Sequence, residues 1–285
     1  MLALALALAL AAAPATAVPP VAPAVAPASA ADTGAYESAL RAGREAFSRR
    51  GEPAQLTEAT AAFERARALE TGSEPAADVW LARAHAFRAR ADPQAAREAL
   101  RGCARAAERA LRRTSPEWAR AVERGEEGSP AATRVEKAGA EPLYWLAVCT
   151  ADLARSRGVA AVLAVKDEVR PMLERAAILD PEVDHAGPHR ALGAWLAALP
   201  SAAGGGANAS RRSFDRARAL APDDLTARVR EAETWAVLVQ DRAAFLRLLD
   251  EVLAFDVSSA PALAPENALA RKEAEALRAR LDRLF

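Results

Sequence analysis

The sequence predicts an all-α protein built from stacked helical hairpins. Three observations carry that expectation. Of the 285 residues, 52% are hydrophobic but only 5% aromatic, and much of the apolar share is alanine, a strong helix former that lets helices approach closely. Little of the chain alternates with period two, and β-branched residues are sparse, so strands find no support. Four segments repeat one spacing: Ala59-Phe63-Ala66, Ala99-Cys103-Ala106, Val169-Leu173-Ala176 and Ser210-Phe214-Ala217. Each puts a small or apolar residue four positions before a larger one and alanine three after it, which places all three on one helical face. A hairpin with one such stripe cannot bury it alone, so neighbours of the same kind must stack beside it.

The first thirty residues, MLALALALALAAAPATAVPPVAPAVAPASA, carry no charge, and Asp32 is the first charged side chain. The run from Leu2 to Ala13 has the length of a signal-peptide apolar region and is short for a bilayer span. Ala28-Ser29-Ala30 reads as a cleavage site, although no basic residue precedes the apolar run. A Pro/Ala-rich tether is the rival reading of residues 14–30. The organisation expected is therefore a signal peptide or tether over 1–30 and one helical repeat domain over 31–285. No cysteine lies near the cleavage point, so no lipobox and no lipid anchor is expected.

Helix punctuation fills in the domain. Asp92-Pro93 and Ser115-Pro116 pair a capping residue with proline at the first helical position. Residues 123–141 read as a long loop with one helical turn, set between two halves of the stack. Gly187-Pro188 opens a helix, Gly204-Gly205-Gly206 turns the chain, and a second helix carrying Phe214, Ala217 and Leu220 stops at Ala221-Pro222-Asp223. Asp223-Asp224 precedes a helix containing Trp235. Asp241 starts the next, with Phe245, Leu248, Leu249 and Leu253 inward. A last helix runs from about Pro265 to Phe285.

The repeated small-large-alanine face, closed by proline, resembles the second helix of a tetratricopeptide repeat. The fold class expected is thus all-α, a tetratricopeptide-like solenoid of about four helical hairpins. A narrower resemblance covers about 140 residues of the C-terminal half. Tyr144-Trp145, Lys166-Asp167-Glu168, Leu179-Asp180-Pro181 and Gly187-Pro188-His189-Arg190 occur in order. The glycine turn, Ala221-Pro222-Asp223, Gln240-Asp241-Arg242-Ala243-Ala244-Phe245 and Pro265-Glu266-Asn267 follow. This pattern resembles the TatT family, tetratricopeptide-like periplasmic proteins associated with TRAP-type (tripartite ATP-independent periplasmic) transporters. The resemblance implies a non-enzymatic periplasmic accessory protein. It implies a periplasmic solute-binding protein as partner, a small, partly apolar ligand, and a homo-oligomer. The departures are the missing lipobox cysteine and the small side chains at Leu196 and Ala197. A general repeat scaffold that binds peptide segments in the cell envelope is the alternative.

The remaining chemistry is sparse. Lysine plus arginine equals aspartate plus glutamate at 38 each, so the basic excess of a nucleic-acid-binding protein is absent. No serine-centred elbow, phosphate-binding loop or paired CxxC occurs, and neither an enzyme nor a cofactor is expected. His185 and His189 stand four apart with Asp184 beside them, but Gly187-Pro188 breaks the helix that would align them, so no metal site is expected. Cys103 and Cys149 both lie in apolar helical pattern, where buried free cysteines are common; an exported protein could oxidise them, but their separation gives no geometric evidence for a bridge. In stacked hairpins the first helices line the concave side. They carry Trp145, Trp195 and Trp235, the candidate partner or ligand surface together with Arg190. Tryptophans at helical spacing are more often core, and Arg190 has an internal alternative in a carboxylate such as Asp180 or Asp184.

Overall fold

A computed structural model of the protein describes residues 30–70 and 75–285. The signal-peptide and tether expectations lie outside the described residues. Among those described there is no strand. The chain starts with α1 (Ala30–Ser48) and α2 (Pro53–Leu69), which pack as a pair, as do α3 (Ala76–Ala91) and α4 (Ala96–Thr114). Short helices α5 (Pro116–Glu123) and α6 (Ser129–Ala132) fill the long connection to α7 (Ala140–Arg155). After α8 (Val159–Ala164), α9 (Lys166–Leu179) packs on α7. Then α10 (Val183–Ala198) pairs with α11 (Ala207–Leu220). A looser group closes the molecule: α12 (Thr226–Glu231) running into a π-helical turn (Ala232–Ala236), α13 (Arg242–Ala254), α14 (Ala264–Arg278) and α15 (Leu281–Leu284).

The repeated spacing is the packing code. Its four triplets sit on α2, α4, α9 and α11, and all twelve side chains are buried. The alanines allow close crossing and the larger residue fills the groove between neighbouring helices. Gly193 shows how close: a Cβ there would lie 2.8 Å from the Phe214 ring. Two large apolar clusters result, one running from Leu40 to Leu199 and one from Ala194 to Leu277, with a small third of Ala186, Ala217 and Ala227.

Several boundaries differ from the sequence reading. α4 begins at Ala96, three residues past Asp92-Pro93, because the Asp92 carboxylate accepts from the Gln94 and Ala95 amides and makes a turn first. The last helix breaks at Arg278 and resumes at Leu281. On α13 it is Val252 that is buried, with Leu253 only half-buried. The cysteines require a correction. They are not free: Cys103 of α4 and Cys149 of α7 form a disulfide, their Cα atoms 6.1 Å apart. The close α4–α7 packing brings together two positions 46 residues apart in sequence, which spacing alone could not reveal.

Candidate ligand cavity

The inner face of the helical stack encloses a cavity of about 560 Å³. Residues of α1, α3, α7, α10, α12 and α14 line it, so both ends of the chain contribute. One part of the wall is apolar, with Phe47, Phe87, Val148, Ala191 and the rings of Trp145 and Trp195. The rest is charged, with six arginines and five carboxylates.

At one side of the cavity, Arg190 organises three helices. Its guanidinium donates to the Asp184 carboxylate at 2.6 Å, the Asp224 carboxylate at 2.5 Å and the Tyr144 hydroxyl at 3.2 Å. It also donates to the backbone carbonyls of Asp184 and His185, both at 3.2 Å. The Tyr144 hydroxyl in turn donates to Asp184 at 2.7 Å. Burial works against the arginine's charge, but Tyr144, Asp224 and Asp184 outweigh it and hold the guanidinium protonated. Burial and the Asp184 charge push the Tyr144 phenol well above its ordinary range, so it stays a neutral donor.

This network fixes an unusual piece of backbone. Asp184, His185 and Ala186 all have positive φ, at 48°, 54° and 60°. Non-glycine residues rarely occupy that region, and successive ones need support from their surroundings. The Arg190 bonds to two of the carbonyls supply it. The regular part of α10 then starts at Gly187-Pro188, as the sequence indicates. A Cβ at Gly187 would meet the Tyr144 ring at 2.5 Å, so glycine is what admits the phenol. A second irregularity borders the cavity opposite: the π turn presents Glu233 to Arg230 at 2.7 Å and to Arg155 at 3.9 Å. Burial opposes ionisation of Glu233, yet Arg230 and Arg155 keep it below the usual carboxylate range.

α14 meets α1 and α3 across a polar seam. Arg50, which follows α1, forms a two-pronged pair with Glu266 of α14, with Nε at 2.6 Å from the carboxylate. Arg90 of α3 does the same with Glu273 of α14, at 3.2 and 3.0 Å. Asn267, beside Glu266, is buried; its amide accepts from the Leu225 N–H at 3.1 Å and donates to the Asp223 carbonyl at 2.9 Å. That clamp sets where α14 starts relative to α12. On a further wall, Arg83 pairs with Glu141 at 2.5 Å, and Glu141 accepts from the Trp145 indole at 3.1 Å.

The sequence-derived residues separate accordingly. Trp145, Trp195 and Arg190 all line the cavity. Trp195 is fully buried and its indole N–H has no partner within the protein. Trp235 lies in the second apolar cluster instead, with the Arg211 guanidinium 4.4 Å above its ring. Arg190 does pair internally, with Asp184 as the sequence suggested and also with Asp224. His185 and His189 are not drawn into any metal-binding group; none of three or more such side chains occurs among the described residues.

Some of the quoted motif residues reach this cavity. Tyr144-Trp145, Arg190, Asp224 beside Ala221-Pro222-Asp223, and Glu266 all stand in its wall. The family model for the TRAP transporter T-component matches residues 84–285. The chain belongs to this family. No curated protein matches the chain. The matched region of the T-component takes in α4 to α15 and the second half of α3, and therefore most of the cavity wall, including Arg90, Arg190, Glu266 and Glu273. Arg50 and Phe47 lie ahead of it, so one half of the seam is contributed by sequence outside the match. Membership makes this protein a non-enzymatic transporter component with a transport-related partner. No helix among the described residues is long and apolar enough to cross a membrane.

Residues that sequence reasoning missed are mostly those of the ion pairs: Arg50, Arg90, Arg230, Glu233, Glu273 and Asp224. Asp224 and Glu266 adjoin or belong to quoted motifs, which was the available signal. The others occur in ordinary charged helical stretches and become visible only when the stack curves back on itself.

Proposed function

We propose that this protein is a periplasmic accessory of a TRAP-type transporter that docks onto the system's solute-binding protein and carries a small, partly apolar ligand in its central cavity. The observation that carries the reading is that Tyr144, Trp145, Arg190 and Glu266, four residues of the quoted motifs, stand in the wall of one cavity. A cavity of this size falls within the range that holds small molecules, and it pairs an apolar wall with a few fixed polar groups, as such sites do. We read the helical pairs as a tetratricopeptide-like solenoid of four hairpins with a C-terminal cap. Trp145 and Trp195 are the rings that contact ligand, and Arg190 positions the wall around them. Trp235, away from the cavity, has a packing role in this reading.

The periplasmic assignment is supported by the Cys103–Cys149 disulfide, because structural disulfides persist in oxidising compartments such as the periplasm. N-terminal sequencing of native protein checks it, with a start near Ala31 expected and an intact Met1 in a cytosolic fraction refuting export. The partner is tested by capture from periplasm at physiological salt. Recovery of a TRAP solute-binding protein is expected; capture of other envelope proteins without it refutes the docking reading and returns the general scaffold. The self-association implied by the family resemblance is tested by sedimentation.

A further inference from the structure

Every charged group of the cavity wall has an opposite partner, and the one carboxylate in excess, where Asp184 and Asp224 share Arg190, is met by the Tyr144 hydroxyl and the Thr226 amide. Each of the wall's six arginines has a carboxylate partner, and each of its five carboxylates has an arginine. The deepest arginines, Arg50 and Arg190, are each 11% exposed, and the other pairs are half-buried. An ion pair closed in this way presents a dipole rather than a net charge. An anionic ligand would have to displace a carboxylate from its arginine, or be desolvated with no counter-charge; a cation meets the mirror image of the same cost.

We infer that the ligand of this cavity is an uncharged amphiphile, an aliphatic body bearing hydroxyl or carbonyl groups, and not an organic ion. The inference rests on the reading that the cavity carries a ligand. Hydroxyl groups suit the wall because they donate and accept at once. A guanidinium has five N–H donors and a carboxylate about four lone-pair positions, more than one pair consumes. Arg90 gives Nε and Nη2 to Glu273, which leaves its Nη1 hydrogens outside that fork. Phe47, Phe87 and Val148 provide the surface for the aliphatic part, and the Trp145 ring is held in place by Glu141.

Three probes with the same eight-carbon tail separate the classes: octyl glucoside, sodium octanoate and octylammonium chloride. Each is titrated calorimetrically into the purified full chain below its micelle concentration. Octyl glucoside binds at least tenfold tighter than either ion. Octanoate or octylammonium binding as tightly as the glucoside overturns the inference but leaves the cavity a ligand site. Silence from all three overturns the ligand-carrying reading as well. A variant then tests the cause. Glu273→Gln leaves Arg90 without its carboxylate, so the preference for octanoate relative to glucoside rises at least tenfold over the wild type. An unchanged ratio in variant protein with wild-type helicity overturns the argument from paired charge. Glu266→Gln makes the same test at Arg50 if the first variant does not fold.

Discussion

Removing the Cys103–Cys149 bridge tests the packing of α4 on α7 and the compartment together. The perturbation is the double variant Cys103→Ala, Cys149→Ala. Both positions are fully buried among alanines and leucines, so alanine leaves only a small void and the main loss is the cross-link. The bridge closes a loop across 46 positions. For that length the chain-entropy account gives about 4 kcal/mol of stabilisation through the unfolded state. In a protein of this size about 4 kcal/mol lowers the thermal midpoint by roughly 10 °C. Thermal and urea unfolding followed by circular dichroism measure it, and reducing agent should bring the wild type to the same midpoint as the variant. Thiol titration of denatured protein purified from the periplasm gives no free thiol. Two free thiols, or a variant melting within about 2 °C of the wild type, would refute the bridge and restore the reading of two buried free cysteines.

Three further outcomes are expected. Trp145→Ala weakens ligand binding by ~2 kcal/mol or more with helicity largely retained, as truncating a buried aromatic anchor does, whereas Trp235→Ala costs roughly 3–5 kcal/mol of stability without a selective loss of binding; calorimetry beside a melt distinguishes them. Gly193→Ala pushes a methyl against the Phe214 ring and destabilises by about 1–3 kcal/mol through overpacking, measured by urea unfolding. His85 is half-buried against Gly102, and its partial burial holds its pKa below the ordinary histidine value of 6.5. Between its lowered folded pKa and 6.5 the unfolded chain binds the extra proton, so stability falls as pH drops below about 6.5. His85→Gln should flatten that part of the stability–pH curve, and an unaltered slope would show that another group is responsible; His189, also depressed by burial and by Arg216, is the control.

The stack was legible in the sequence because it is written in local periodicity. Ala59-Phe63-Ala66 and its three counterparts mark the buried face of each second helix, and every one of those side chains is buried. Gly187-Pro188 and Asp241 likewise mark helix starts through local backbone chemistry; the Asp241 carboxylate accepts from the Ala244 amide at 2.8 Å. The cavity was legible only in part. Arg190 could be paired with Asp184 because six residues separate them, but Asp224 is 34 residues away. Arg50–Glu266 spans 216 positions. No periodicity encodes such a pairing; it depends on how far each hairpin rotates against the last. In the same way, the packing of α4 on α7 made the disulfide that spacing could not reveal.

The two attachments of α14 differ in kind, and the difference bears on how a ligand could pass. Towards α12 and α13 the helix buries Ala270, Ala274 and Leu277 in the second apolar cluster, and Asn267 clamps its start to the backbone before α12. Towards α1 and α3 it is held chiefly by Arg50–Glu266 and Arg90–Glu273, whose carboxylates remain 20% and 21% exposed. Apolar burial is lost only by separating surfaces outright, while an ion pair at a half-buried seam regains water when it parts and so recovers part of the cost of breaking it. Opening the cavity along the polar seam therefore disturbs less of the fold than opening it along the apolar one. A binding protein that must both enclose a ligand and give it up needs one firm wall and one that yields. On the proposed ligand-carrying reading, the firm wall is the alanine-rich stack and the yielding one lies where α14 meets α1 and α3.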